Sequence, residues 1–347
     1  MTSSSSDSLR PTPRVAILLS VHNGEKFLEE LLYSIEQQSY RFWDLWIRDD
    51  GSGDSSLALA DSFRKRLRDG GSPNRVMIDS GNNLGVVGSF LDLAASAGDR
   101  YDAYAFCDQD DIWLPDKLER AVDHYIAYLD ESRASATPKP WLYHSRQFLV
   151  GQDGKKRGMS PIPRHMGLEN AIVQNQVVGC TMVIDSRLRH LLLESSKAVC
   201  RHDEAANSVS TAGPVIMHDW WCYLLASCHG VICYDETPTL LFRRHESSTT
   251  PVSTSQIGEL WNRSAALGRR GYRLHHILEQ ADAFYRYFVR HDSYPLDPPS
   301  SRILQSFTRL RNAGFGDRLK FAVSSPHRRD SLPETWLLRF LVLINRL

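Results

Sequence analysis

Val15-Ala16-Ile17-Leu18-Leu19-Ser20-Val21 is a near-continuous apolar run, and a helix-period pattern follows it almost at once. A short unbroken apolar strand is buried on both faces, the condition of a central strand in a parallel sheet covered by helices. Between Glu25 and Gln38, Phe27, Leu28, Leu31, Leu32 and Ile35 fall on one helical face. The alternation then repeats. Trp43 to Ile47 reads as a second strand, with helix signals through Leu67 that stop at Gly70-Gly71. Val76-Met77-Ile78 reads as a third short strand, Phe90 to Ala97 as a helix, and Tyr104 to Cys107 as a fourth strand. Pro115 suits the first turn of a helix running to about Leu129. Such alternation implies βαβ units and an α/β fold with a mostly parallel sheet flanked by helices.

Three of these strands end in polar loops: His22-Asn23-Gly24-Glu25, Arg48-Asp49-Asp50-Gly51-Ser52-Gly53-Asp54, and Asp108-Gln109-Asp110-Asp111. Parallel strands point the same way, so the loops gather on one edge, the expected ligand crevice. Beyond Leu129 the pattern loosens. Ser132 to Pro140 reads as a loop, Trp141 to Val150 as a strand, and Val177 to Ile184 as a strand followed by a helix through Leu193. Val199 to Gly213 is polar and loop-like, and His218 to Cys228 reads as a buried helix. Val231 to Tyr234 and Thr239 to Phe242 read as two strands, and from about Gln256 the chain is helical in pattern, rich in Arg and aromatics.

The edge loops carry the chemistry. Asp108, Asp110 and Asp111 place three carboxylates within four residues, and like charges this close repel unless a cation lies between them. A plain polar turn is the alternative. The small and polar residues at His22 to Glu25 suit a backbone that approaches a ligand closely, or an ordinary helix N-terminus. Asp49 and Asp50 are able to accept from a base imide or a ribose hydroxyl, or to shape a Gly/Asp turn. In Met217-His218-Asp219-Trp220-Trp221 an Asp set among tryptophans points to a desolvated general base, or to a helix-start carboxylate. His245 is either a third metal ligand or structural. No G-x-G-x-x-G follows the first strand and no G-x-x-x-x-G-K-[ST] occurs, which argues against dinucleotide oxidoreductases and P-loop enzymes.

Lys+Arg and Asp+Glu both number 41, so the net charge is zero and no general nucleic-acid binder is indicated. The six cysteines form no C-x-x-C pair, which suggests a reduced cytosolic compartment and no zinc site. Residues 1–13 are rich in Ser, Pro and Thr without an apolar h-region, the pattern of a disordered tail and not of a signal peptide. No stretch is long enough to span a bilayer. Trp336 to Leu347 is strongly apolar with two arginines, and either lies in a membrane interface or packs on the protein's own core.

Six motifs occur in order: Val15-Ala16-Ile17 with His22-Asn23-Gly24-Glu25, Asp49 to Asp54, Asn83-Leu84-Gly85, Asp108 to Trp113, Gly179-Cys180-Thr181-Met182, and His218-Asp219-Trp220. Together they resemble the family 2 glycosyltransferases of GT-A fold, and most closely the rhamnosyltransferase-like members that build surface polysaccharides. The resemblance covers about residues 14–250. It implies a catalytic domain over 14–250, with a nucleotide-binding half at 14–130 and an acceptor half at 131–250, then a helical C-terminal region at 251–347. His22, Asn23 and Glu25 would line the nucleotide pocket, and Asp50 would meet the base with Asn83 nearby. Asp108 and Asp110 match the D-x-D motif for ribose and metal, Asp111 would be able to share that role, and His245 matches a further metal ligand of some relatives. Gly179, Cys180 and Thr181 would shape the donor-sugar loop, and Asp219 would be the catalytic base. The implied activity is inverting transfer from a nucleotide-diphosphate sugar to a saccharide or lipid-linked hydroxyl, assisted by Mg²⁺ or Mn²⁺. It would take place in the cytoplasm or peripherally on the inner membrane face. Glu246-Ser247-Ser248 stands where relatives often show Asn and Gly, and the Q-x-x-R-W element of processive synthases is absent. Two other readings are an aspartyl-type metal-dependent phosphohydrolase, since Asp108-Gln109-Asp110 is also its D-x-D, and a non-catalytic nucleotide-sugar-binding protein of the same fold.

Overall fold

The computed structural model describes residues 12–135, 137–200, 202–203, 208–209, 213–243 and 267–346, with backbone alone at 202–203, 208–209 and 267–273. The first half alternates as its apolar pattern dictates: β1 (Val15–Val21), α1 (Glu25–Glu36), β2 (Trp43–Asp49), α2 (Ser56–Asp69), β3 (Val76–Ser80), α3 (Gly85–Ser96) and β4 (Ala103–Asp108). A two-residue β5 (Ile112–Trp113) and α4 (Lys117–Ser132) follow. The second half comprises β6 (Trp141–Val150), β7 (Lys156–Met159), α5 (Leu168–Ala171), β8 (Val183–Asp185), α6 (Ser186–Val199), α7 (His218–His229) and β11 (Val231–Arg243). Between α6 and α7 a two-residue hairpin, β9 (His202–Asp203) with β10 (Ser208–Val209), lies in the polar stretch that the sequence shows as a loop. The C-terminal helices are α8 (Leu267–Phe288), α9 (Pro298–Thr308), α10 (Phe315–Ser324) and α11 (Leu332–Leu343).

Nine strands form one mixed sheet in the order β3-β2-β1-β4-β8-β6-β11-β5, with β7 paired to β6. β1 to β4 are mutually parallel, and β8 runs antiparallel between β4 and β6. The register places Val21 opposite Asp49, Ser20 opposite Asp108 and Asp49 opposite Ser80. The polar loops therefore leave the sheet at one level. Side chains alternate across β1 and β4, so Ala16, Leu18, Tyr104 and Phe106 enter one core while Ile17, Leu19, Ala105 and Cys107 enter the other. The first core is closed by α3, α6, α7 and the C-terminal helices, the second by α1, α2 and α4.

Two sequence expectations are corrected. Val177 to Ile184 is not one strand: a 3₁₀ turn occupies Gly179–Thr181, and β8 begins only at Val183. Thr181 N–H donates to the Val178 carbonyl (2.9 Å) and Met182 N–H to that of Gly179 (2.9 Å), which takes this backbone out of the ladder. Conversely, Val231 to Tyr234 and Thr239 to Phe242 are two halves of one strand, β11, whose register against β6 shifts on either side of Pro238. Proline has no N–H to donate to a ladder, so the irregularity falls there.

Candidate active site

The acidic turn is the centre of the edge. β4 ends at Asp108, and β5 pairs with β11 through Ile112–Leu241 and Trp113–Leu240, so Gln109 to Asp111 are held from both sides. Gln109 ties this turn to the β1–α1 loop. Its Oε1 accepts from His22 N–H (2.8 Å), and its Nε2 donates to the His22 carbonyl (3.0 Å). A Cβ at Gly24 would lie 2.5 Å from that same Oε1, so only glycine allows this approach. Asn23 adopts φ 50°, a left-handed conformation that Asn tolerates, and its Oδ1 accepts from Gly53 N–H (2.8 Å). Glu25 Oε2 accepts from Ser55 N–H (3.1 Å), closing the loop onto the start of α2. His22 Nδ1 lies 3.0 Å from the Asp50 carbonyl and 3.3 Å from Asn83 Nδ2, which brings the first three edge loops together. His22, Asn23, Glu25 and Asn83 are exposed along this rim. Asp50 is buried, and its Oδ1 is taken by the Arg48 guanidinium and by Leu84 N–H (2.8 Å).

Asp108 Oδ, Asp111 Oδ and Cys180 Sγ lie within 4.8 Å of one another. Burial and then the Asp110 and Asp219 charges push the Asp108 carboxyl up to about 7. Asp111, only 1% exposed, is pushed well above its usual range by burial and by its two acidic neighbours. The Cys180 thiol is raised by burial and by the Asp111 and Asp108 charges, so it stays protonated beside them. Asp111 Oδ1 accepts from Arg243 N–H (3.2 Å), while its Oδ2 is buried without a partner. Beneath the cluster Lys117 is fully buried, 4.8 Å over the Trp113 ring, its Nζ without a hydrogen bond and its pKa lowered by burial to about 8. Crowded carboxylates with a spare buried oxygen are a hard donor set that fits Mg²⁺ or Mn²⁺. The protonated thiol is not a ligand for such an ion.

Asp219 stands in the first turn of α7, where free N–H groups favour an anion. Its Oδ2 accepts from Gly179 N–H (3.0 Å), its Oδ1 accepts from Trp220 N–H (2.6 Å), and Asn175 donates to it. Burial outweighs these bonds and raises the carboxyl to about 6. A Cβ at Gly179 would sit 3.0 Å from His218 Nε2 and 3.5 Å from Asp219 Oδ2, so the 3₁₀ turn needs glycine at this approach. His218 is wedged between Phe90 (4.2 Å) and Phe106 (5.0 Å), and burial keeps it neutral.

Residues 16–181 match the family model described as glycosyl transferase family 2. These residues form a family 2 glycosyltransferase domain. Over 241 residues the chain is 27% identical to the dTDP-rhamnosyl transferase RfbG of Shigella flexneri, spanning 68% of this chain and 75% of that protein. It is 25% identical over 176 residues to the putative teichuronic acid biosynthesis glycosyltransferase TuaG of Bacillus subtilis, 50% of this chain and 62% of that one. The fold is similar to that of S. aureus TarS 1–349, solved in complex with UDP-GlcNAc, with TM-score 0.52 and 15% identity over 96% of this chain and 81% of that one. The sheet thus has the GT-A architecture that the motifs imply.

Among the described residues, Asp108, Asp111 and Cys180 cluster, with the Asp110 and Asp219 charges acting on Asp108 and Gly179 bonded to Asp219, and His22, Asn23, Glu25, Asp50 and Asn83 lie along the adjoining rim. Thr181 is buried, donating to the Val178 carbonyl (2.7 Å), so it shapes the turn from within. His245 lies outside the described residues. Three contributors carry no role in the sequence reading: Gln109 as a tether, Asn175 as a donor to Asp219, and Arg243. The Arg243 guanidinium donates to the Asp110 carbonyl (3.0 Å) and to Glu30 Oε2 (2.5 Å), clamping the acidic turn against α1.

Proposed function

We propose that this protein is an inverting, cation-assisted glycosyltransferase. It moves rhamnose from a nucleoside-diphosphate donor to a hydroxyl of a saccharide or lipid-linked acceptor in surface polysaccharide synthesis, in the cytoplasm. The observation that carries the reading is the pairing across the edge. A buried carboxylate, Asp219, is held by Gly179 N–H in the electrostatic field of Asp108, which is the arrangement of a base facing an anion-binding centre. The dTDP-rhamnosyl name of RfbG supports the choice of donor sugar.

In this reading His22, Asn23, Glu25, Asp50 and Asn83 receive the nucleoside, and Asp108 and Asp110 hold the cation with Asp111 beside them. A Mg²⁺ or Mn²⁺ ion supplies positive charge against the leaving diphosphate. The turn at Gly179 to Thr181 borders the sugar. Asp219 takes the proton of the acceptor hydroxyl, and its raised pKa keeps it a competent base near neutrality. The acceptor oxygen attacks the anomeric carbon as the bond to diphosphate breaks on the opposite face, so the configuration inverts. The test offers dTDP-rhamnose and UDP-sugars with a saccharide acceptor to wild type and Asp219→Asn. Acceptor-dependent nucleotide release by wild type alone is expected. Equal release by both proteins, or a phosphate-labelled aspartate, would remove Asp219 from the role of base.

A further inference from the structure

The C-terminal helices carry an apolar face that the catalytic reading leaves unused. α10 and α11 follow each other in the chain and pack together. On α10, Phe315, Leu319 and Val323 recur every fourth residue and are 62%, 44% and 72% exposed, while Phe321 on the opposite side is buried. Leu332, Trp336 and Phe340 of α11, and Ile344 at its C-terminal cap, repeat the spacing at 70%, 63%, 51% and 43% exposure. Leu338, Leu341 and Val342 of the same helix are buried in the core. So α11 is apolar on both sides: one face is buried by the protein and the other meets solvent. Of the fifteen large apolar side chains exposed among the described residues, six lie on this pair of helices and a seventh, Ile344, caps the second. The other eight are spread along the chain from Tyr33 to Val289. A clustered face of this kind marks an interaction surface.

The surrounding charge selects the occupant. From Arg309 to the C-terminus there are eight Lys and Arg against three Asp and Glu, in a chain whose total is neutral. By helical spacing Arg318 and Lys320 border the α10 stripe, Lys320, Arg328 and Arg346 are exposed, and the Arg339 guanidinium stacks 5.5 Å over the Trp336 ring. Exposed aromatics with basic flanks suit the headgroup region of an anionic bilayer. No described helix is long and apolar enough to cross a membrane, so contact would be along the helix axes. The face is tied to the site. Asn170 Nδ2 donates to the Arg328 carbonyl (3.1 Å) and Asp330 N–H to Gln174 Oε1 (2.6 Å), and the next residue, Asn175, donates to Asp219.

We propose that the outer faces of α10 and α11 dock the protein on an anionic lipid surface, with Trp336 and Phe340 as apolar anchors and the basic rim supplying the selectivity. The test is flotation of the full chain with phosphatidylcholine vesicles, with and without phosphatidylglycerol. It compares wild type, Trp336→Ser/Phe340→Ser and Lys320→Gln/Arg328→Gln/Arg346→Gln. Wild type is expected to float with anionic vesicles and only weakly with neutral ones. The aromatic variant should lose roughly tenfold or more in partitioning, and the charge variant roughly a hundredfold on anionic vesicles alone. Melting temperature and dTDP binding should stay at wild-type values in both, so failure of docking is distinguishable from failure of the transferase reading. Wild type that stays unbound, or variants that float as well as wild type, would overturn the proposal. So would a wild-type dimer by light scattering that the aromatic variant converts to monomer without any vesicle binding, since a second copy would then cover the face.

Discussion

The two edges of the parallel strands treat carboxylates in opposite ways. At the edge where β2 and β4 begin, Asp44 is buried and saturated. It accepts from Arg14 Nε (3.0 Å), from the Arg75 N–H (2.8 Å) and from the Tyr101 hydroxyl (2.9 Å). Asp185 on the same side accepts from Trp141 N–H (3.1 Å), Leu188 N–H (2.9 Å) and Arg187 (2.9 Å). At the opposite edge Asp108, Asp111 and Asp219 make no ion pair among the described residues; the Asp219 charge raises Asp108, and the Asp108 charge raises Asp111. The first edge gives its carboxylates a full set of partners, which hold Asp44 below its usual pKa, although burial still raises Asp185. The second keeps them crowded and short of counter-charge, a state that costs stability and suits a cation and an anionic ligand.

Substitutions separate the two edges. The largest expected effect is on turnover. Asp219→Asn should lower it roughly 10²- to 10⁴-fold while dTDP binding is retained, measured by acceptor-dependent nucleotide release. Next comes stability at the saturated edge. Arg14→Met leaves the Asp44 carboxylate buried without its guanidinium and should cost about 2–3 kcal/mol in chemical denaturation. At the crowded edge the sign reverses. Asp111→Asn keeps an acceptor for Arg243 N–H and removes a repelled charge, so the metal-free protein should gain roughly 1 kcal/mol, about 2 °C in a thermal melt.

The smallest contrast is in pH. Burial raises the Asp44 carboxyl, but its bonds from Arg14, Arg75 and Tyr101 outweigh this and hold it below its usual value. Its contribution is therefore present above the unfolded-state value of about 3.9 and is lost as pH falls through the lower folded value. Asp219 is raised to about 6, so it favours the folded state below the unfolded-state value, and that contribution is lost as pH rises through about 6. Thermal melts from pH 4 to pH 7 should show this second dependence weakened in Asp219→Asn, with the part owed to Asp108, raised to about 7, remaining, and unchanged in Arg14→Met.

The same contrast explains what the sequence reveals. Apolar runs announce β1, β2 and β4, and the acidic loops behind them announce the edge, because burial and chain direction both follow from pattern. What pattern does not carry is which carboxylate of Asp108-Gln109-Asp110-Asp111 turns inward. Asp111, the one most buried, reads in sequence like its neighbours. The Gln109 tether is an amide paired with a backbone 87 residues away, and no local period records it. Gly179 sits inside an apolar run and breaks the strand because Asp219, 40 residues on, requires its N–H. Pro238 is the reverse case: it interrupts the apolar pattern of β11 without ending the strand.

The most direct measurement is calorimetric titration of dTDP and UDP, with and without Mn²⁺, on wild type and Asp110→Asn. If the crowded edge is a nucleotide-sugar site completed by a cation, wild type binds one nucleotide in a Mn²⁺-dependent manner and Asp110→Asn loses roughly tenfold or more in affinity. Absence of binding to either nucleotide under every metal condition, or binding indifferent to both Mn²⁺ and Asp110, would contradict the account.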